Sequence, residues 1–214
     1  MKSKLLLDLL ENECELENIL FRLKTILFSL ENDEIIKWID SEIEGYKEGD
    51  GVPEYRKVML TPHISATDGV WSLNKAIASI GHLDKKELNA VLYHNITDSI
   101  NSLSYDEKDT CISYNSFLTH RLGEGYSRKL LVTQAYGAMP LGTCSKIKSC
   151  VKNRLLSIIL ELEKKYGALN DYDIFLDISD TEKTEIGKTI INITMGNNNR
   201  ITGSNFGVTK NEEN

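Results

Sequence analysis

The chain has 214 residues, 41% of them apolar, and its 25 lysines and arginines face 32 aspartates and glutamates, for a formal net charge of −7. That length can bury one sizeable core, hiding roughly 70% of the unfolded surface, and the composition excludes a low-complexity or fibrous chain. The acidic balance argues against a dedicated nucleic-acid module, and no run approaches the ~18 apolar residues of a membrane-spanning helix.

The charge is unevenly placed. Residues 1–54 carry 14 acids against 6 cations, a net of −8, whereas residues 118–165 carry 9 cations against 3 acids, a net of +6. The two regions attract each other, within one molecule or between two, or are simply two solvated faces of one fold. The N-terminal apolar run is broken by Asp8 and followed by acids, which does not fit a signal peptide. The four cysteines, Cys14, Cys111, Cys144 and Cys150, form neither a CxxC pair nor a Cys/His cluster. They read as free thiols of a cytoplasmic protein, with no metal site or cofactor expected.

Residues 3–45 read as helical. Leu5, Leu6, Leu9 and Leu10 form a first apolar stripe, interrupted at Asn12–Cys14 among Glu11, Glu13, Glu15 and Glu17. Leu16, Ile19, Leu20, Leu23, Ile26, Leu27 and Leu30 then recur at three- and four-residue spacing, one face of a second helix. Asn32 is placed to cap a third, with Asp33 and Glu34 in its first turn and Gly45 as its stop. Residues 46–54 are turn-rich and end in Pro53. Residues 55–73 look extended, with Pro62 arguing for an edge or bulged strand.

A further helix is expected over Lys85–Leu103, capped by Asp84, because Leu88, Val91, Leu92, Ile96, Ile100 and Leu103 keep helical spacing. Residues 104–142 mix aromatics and glycines and fit either strands or irregular helices. From about Ser145 to Tyr166, Ile147, Val151, Leu155, Ile158, Ile159, Leu162 and Tyr166 line one face of a long helix ended by Gly167. Beyond it, Ile191, Ile193 and Met195 alternate with Asn192 and Thr194. That pattern predicts a C-terminal β element within 171–207, a hairpin or solenoid-like tail, with residues 208–214 disordered. The sum is a mainly helical α+β fold: a helical head (1–45) joined in one domain with a mixed body (46–170), followed by the β element.

Chemistry is sparse. His63, His82, His94 and His120 lie in four separate contexts. His120 and Arg121 precede GEGYSRK, where Arg121, Arg128 and Lys129 flank a glycine pair that suits a phosphate or a nucleic-acid backbone. Lys146, Lys148, Lys152 and Arg154 add cations at the start of the long helix, where the helix dipole disfavours them, so an anionic partner there relieves a cost. His120 and Arg121 are the catalytic candidates; Arg121, Arg128, Lys129, Lys146, Lys148 and Lys152 are the candidates for an anionic partner. Neither a P-loop nor a dinucleotide fingerprint is present.

A second set has a structural reading. Trp38 and Tyr46 anchor a core, Gly45 stops a helix, and Arg56 is placed to pair with Glu42, with Pro53 and Tyr55 in the same window. Charge exchange at 42 and 56 is expected to restore the stability lost in either single reversal. Three segments, EIIKWIDSEIEGY, VPEYRKV and IKSCVKNRLLSIILELEKKYG, resemble in order and spacing the AbiTii-type family of bacterial abortive-infection systems. The Asn/Gly tail MGNNNRITGSNFG is similar to a repeat that often follows such domains. The resemblance implies antiphage defence: a protein whose activation stops growth of the infected cell, alone or with a partner defence protein. It supplies no catalytic residues. Two readings remain open: an interaction or oligomerisation module (as a homo-oligomer or with that partner), or a nuclease-like toxin directed at nucleic acid or nucleotides and centred on residues 120–129.

Overall fold

A computed structural model describes residues 2–104, 110–126, 130–169 and 178–195. The head is helical as expected. Helix α1 (Lys4–Glu11) starts at Ser3, whose Oγ accepts from the Leu6 amide at 3.1 Å, and ends at Asn12, a residue that tolerates the left-handed conformation it adopts there. Helix α2 (Leu16–Leu27) runs into a 3-10 turn, Phe28–Leu30. Helix α3 (Asp33–Glu44) is capped by Asn32, whose Oδ1 accepts from the Ile35 amide at 3.2 Å.

The expected strand region divides in two. Strand β1 (Lys57–Met59) is followed by β2 (Thr61–Thr67), which turns back as β3 (Ser72–Ile77). Strand β2 is bulged at Ser65/Ala66 but lies inside its sheet rather than at the edge. Pro62 is tolerated there because the ladder to β3 begins only at His63, opposite Ile77; the Pro62 carbonyl still accepts from the Ala78 amide at 2.9 Å.

Helix α4 (Lys85–Leu92) opens with a capping box between Asp84 and Glu87. It does not continue to Leu103 as its spacing predicts. Tyr93–Asn95 is strand β4, paired with β1, and the Leu92 carbonyl accepts from the Leu60 amide instead of a following helical turn. Ile96, Ile100 and Leu103 are buried as the pattern implies, but a loop delivers them. The region that fitted either element holds β5 (Cys111–Ser113), α5 (Ser116–Glu124, capped by Asn115) and β6 (Leu131–Ala138). The four-stranded antiparallel sheet runs β3-β2-β6-β5, with Thr61 opposite Ala138 where its two inner strands meet the rest of the chain.

Helix α6 (Thr143–Tyr166) is the long helix, starting two residues before the expected Ser145. It packs on α1, and the Ser3 amide donates to Glu163 Oε1 at 2.7 Å. Helix α7 (Asp180–Met195) overturns the strand expected over Ile191–Met195: packing of Ile186, Ile190 and Thr194 against the body fixes a helical period where the local pattern alternates. The rest of the expected tail element, and the tail beyond it, lie outside the described residues. The structure is thus α+β and mainly helical, as the sequence implies.

Two cores form. The larger joins Leu5, Leu20, Leu23, Trp38 and Ile39 of the head to Val151, Leu155 and Ile158 of α6. Each such fully buried side chain contributes about 1.5–3 kcal/mol of transfer free energy. The smaller gathers Ile64, Ala66, Ala78, Leu83, Val91, Leu118, Leu122 and Ala135 between the sheet and helices α4 and α5. Among the described residues, no helix is long and apolar enough to cross a membrane.

Candidate functional site

The densest polar constellation lies where α3 ends. Glu42, one turn before Gly45, is fully buried, and so is Arg56 at the end of the 3-10 turn Glu54–Arg56. Their side chains meet in a forked pair: Arg56 Nε donates to Glu42 Oε1 at 3.0 Å and Nη2 donates to Oε2 at 2.6 Å. The tyrosine hydroxyls of Tyr46 and Tyr55 also donate to Oε1, at 2.6 and 2.7 Å, and Trp38 Nε1 donates to the Tyr55 oxygen at 2.9 Å. Arg56 Nη1 donates to the carbonyls of Ile96 and Asp98 at 3.2 and 2.7 Å, and its guanidinium stacks on the Tyr46 ring. Two charges leave water here at a cost that only such complete pairing offsets.

Backbone geometry closes the arrangement. Gly45 has φ +96°, and a Cβ there would stand 2.9 Å from the Thr97 carbonyl oxygen. That carbonyl accepts from the Tyr46 amide at 2.7 Å, and the Glu42 carbonyl accepts from the Ile100 amide at 2.8 Å. Only glycine lets the 96–100 loop approach this closely. Burial, reinforced by the Glu42 charge, pushes the Tyr46 and Tyr55 hydroxyls well above the ordinary tyrosine range. Burial works against the Arg56 charge, but its bonds to Glu42 and the Glu42 charge outweigh that, and the guanidinium is held more firmly protonated than usual. Of the residues singled out in the sequence, Arg56 pairs with Glu42, Trp38 and Tyr46 are buried, and Gly45 caps α3. Pro53, also buried, opens the 3-10 turn with its carbonyl accepting from the Arg56 amide.

The basic segment is organised differently from its sequence reading. Arg121 Nε and Nη2 donate to Glu87 at 2.6 and 3.2 Å, and Nη1 bonds Glu124. Glu87 belongs to the α4 capping box, so this arginine ties α5 to α4 rather than facing an anion. Its bonds to Glu87, offset in part by desolvation, raise its pKa further. His120 points outward, 76% exposed, with Nε2 3.3 Å from Glu124 Oε1. Arg128 and Lys129 lie outside the described residues. On α6, Lys146 is exposed, Lys148 is half-buried, and Lys152 donates to Asn12 Oδ1 at 2.5 Å. The structure therefore does not bring the six cations together into one described site. His63 stacks on Tyr136, and His82 shares a hydrogen bond with the Arg121 carbonyl at 2.6 Å. Partial burial lowers the His94 pKa. Among the described residues, no group of three metal-ligating side chains occurs.

The AbiTii family model matches residues 3–187. The chain belongs to the AbiTii family. AbiTii is an abortive-infection domain, and the matched span contains the whole Glu42–Arg56 network. No curated protein and no solved structure matches the chain.

Two contributors to this AbiTii network escaped sequence reading. The 96–100 loop was hidden inside an expected helix. Arg154, read only as one more cation, lays its guanidinium 4.0 Å from the centre of the Tyr55 ring and donates from Nε to the Thr194 carbonyl of α7 at 3.0 Å. The one available signal was its position on α6, one residue before Leu155, at the rim of the apolar stripe rather than on the opposite face.

Proposed function

We propose that this AbiTii chain acts in antiphage defence of the abortive-infection type as an interaction module that assembles, with itself or with a partner defence protein, to arrest the infected cell. Family membership supports the antiphage role. The observation that carries the module reading is the sealed state of the densest polar constellation among the described residues: Glu42 and Arg56 have zero side-chain exposure and every polar atom of both is paired internally. Such a network holds a scaffold in one shape but cannot meet a substrate, so action falls to the surfaces. Exposed acids of the head (Glu11, Glu13, Glu15, Asp33, Glu34) and the exposed Lys146 and half-buried Lys148 of α6 supply opposite charges for contact between copies.

The test has two parts. Bacteria expressing the chain alone are challenged with phage at low and high dose, and the purified chain is sized across concentration and salt. Protection at low dose with arrest at high dose, together with assembly that high salt weakens, is the expected result. Defence by a strictly monomeric chain without a partner would overturn the module reading.

A further inference from the structure

We infer that α7 is a displaceable latch over α3 and α6, closed by Arg154, and that its opening is felt at the buried Glu42 network. The first ground is intrinsic preference. Half of the sixteen α7 residues are β-branched (Thr181, Thr184, Ile186, Thr189, Ile190, Ile191, Ile193 and Thr194), and Gly187 and Asn192 are further poor helix formers. Side chains of this kind lose rotamer freedom in a helix, and a sixteen-residue helix in which ten positions are poor formers does not persist alone in water. Its shape is therefore imposed by docking.

The second ground is that the docking contacts are few and specific. Only Ile186, Gly187, Ile190 and Thr194 are fully buried, with Ile191, Ile193 and Met195 partly buried against the same core, whereas α6 fully buries eight positions. At the start of α7, Glu182 accepts from Tyr166 at 2.9 Å and pairs with Lys165 at 3.0 Å. In the middle, Gly187 lies against Asn32, the cap of α3; a Cβ would stand 3.0 Å from its Nδ2. At the end, the Arg154 guanidinium bridges the Thr194 carbonyl, the Cys150 carbonyl at 3.2 Å and the ring face of Tyr55. A positive group at a helix C-terminus satisfies its free carbonyls and opposes its dipole. Arg154 thus touches both the last turn of α7 and the Tyr55–Glu42–Arg56 network.

Release of α7 removes the Thr194 acceptor that helps hold Arg154 over one face of Tyr55, whose hydroxyl accepts from the Trp38 indole. The change is then carried from the C-terminal helix to the end of α3 through a contiguous set of contacts.

Hydrogen exchange on the full chain tests this, comparing wild type with Arg154→Lys, which keeps the charge but loses the planar fork, and with Arg154→Ala. In wild type, amides of 182–195 are expected to exchange at least about 100-fold faster than those of α2 and α6, and with little dependence on mild denaturant, as a local opening does. Both variants should speed α7 exchange about tenfold or more while leaving α2 protected, and Trp38 emission, read in a Trp71→Phe background, should shift with the opening. Exchange of α7 only through global unfolding in wild type would overturn the latch. Equal acceleration across α2, α6 and α7 in the variants, or none in α7, would overturn the role of Arg154.

Discussion

Replacing Arg56 with leucine isolates the energetic logic of the buried network. The substitution leaves the Glu42 carboxylate without its partner at a site with no solvent exposure, and breaking a buried pair from one side costs about 3–5 kcal/mol. The Ile96 and Asp98 carbonyls lose their donor as well, for about 1 kcal/mol each, while the buried leucine returns about 1–2 kcal/mol. The net loss is about 4 kcal/mol, a large part of the 5–15 kcal/mol that typically holds a domain, and corresponds to a fall in Tm of about 8–16 °C for a chain of this size. Arg56→Lys should lose about half as much, since one ammonium cannot span both carboxylate oxygens and two carbonyls. The Glu42→Arg/Arg56→Glu exchange is expected to fail to rescue, contrary to the simple pair logic of the sequence. It would aim a carboxylate at the 96 and 98 carbonyls and leave the Tyr46 and Tyr55 hydroxyls facing a group with no acceptor. Urea unfolding followed by far-UV circular dichroism measures all three. A deficit below about 1 kcal/mol for Arg56→Leu, or full rescue by the exchange, would refute this account.

Alkaline pH should weaken the fold through the same cluster. The Tyr46 and Tyr55 pKa values are raised in the folded state, so their stabilising contribution is complete below the unfolded value near 10 and is lost as pH rises above it. At pH 11 the loss is about 3 kcal/mol for the two together; Tyr46→Phe should flatten part of that slope in pH-dependent denaturation, and an unchanged slope would sink the assignment. Gly45→Ala combines a strained positive φ with the 2.9 Å approach to the Thr97 carbonyl and should cost about 2–3 kcal/mol in thermal melts; a neutral result would mean that the loop is free to withdraw. His120→Ala should leave both stability and the outcome of the phage-challenge assay unchanged, whereas Arg121→Ala should destabilise the α4–α5 contact. A changed phage-challenge outcome for a stably folded His120→Ala chain would return weight to a catalytic reading.

What the sequence disclosed and what it hid have different physical origins. The head and α6 were legible because their apolar residues repeat at helical spacing over several turns and burial simply follows the stripe. The Glu42–Arg56 pair was legible because the two opposite charges flank a helix stop and a proline turn close along the chain. Val91 through Leu103 misled because Ile96, Ile100 and Leu103 keep the right spacing and the right burial, while backbone pairing of β4 with β1 decides the conformation. The alternation in α7 misled for the opposite reason: strand-like local preference yields to docking on α3 and α6. The basic segment 120–129 looked like an anion site because sequence cannot show that Glu87, more than thirty residues away, already holds Arg121.

The register pairing of Thr61 with Ala138 places the points where the sheet lobe leaves and rejoins the helical body side by side, joined by a backbone ladder. A segment with adjacent ends and its own small core has the geometry of an insertion graft. Lengthening or exchanging the turn between β2 and β3 is expected to leave the body's core contacts and the spacing of the two attachment points untouched. Part of the lobe's chain does return to the body, through β4 and the 96–100 loop, so a graft is expected to be tolerated at the β2–β3 turn and rejected where the chain crosses to bind Arg56. The length of the β2–β3 turn is therefore decoupled from the geometry of the Glu42–Arg56 scaffold.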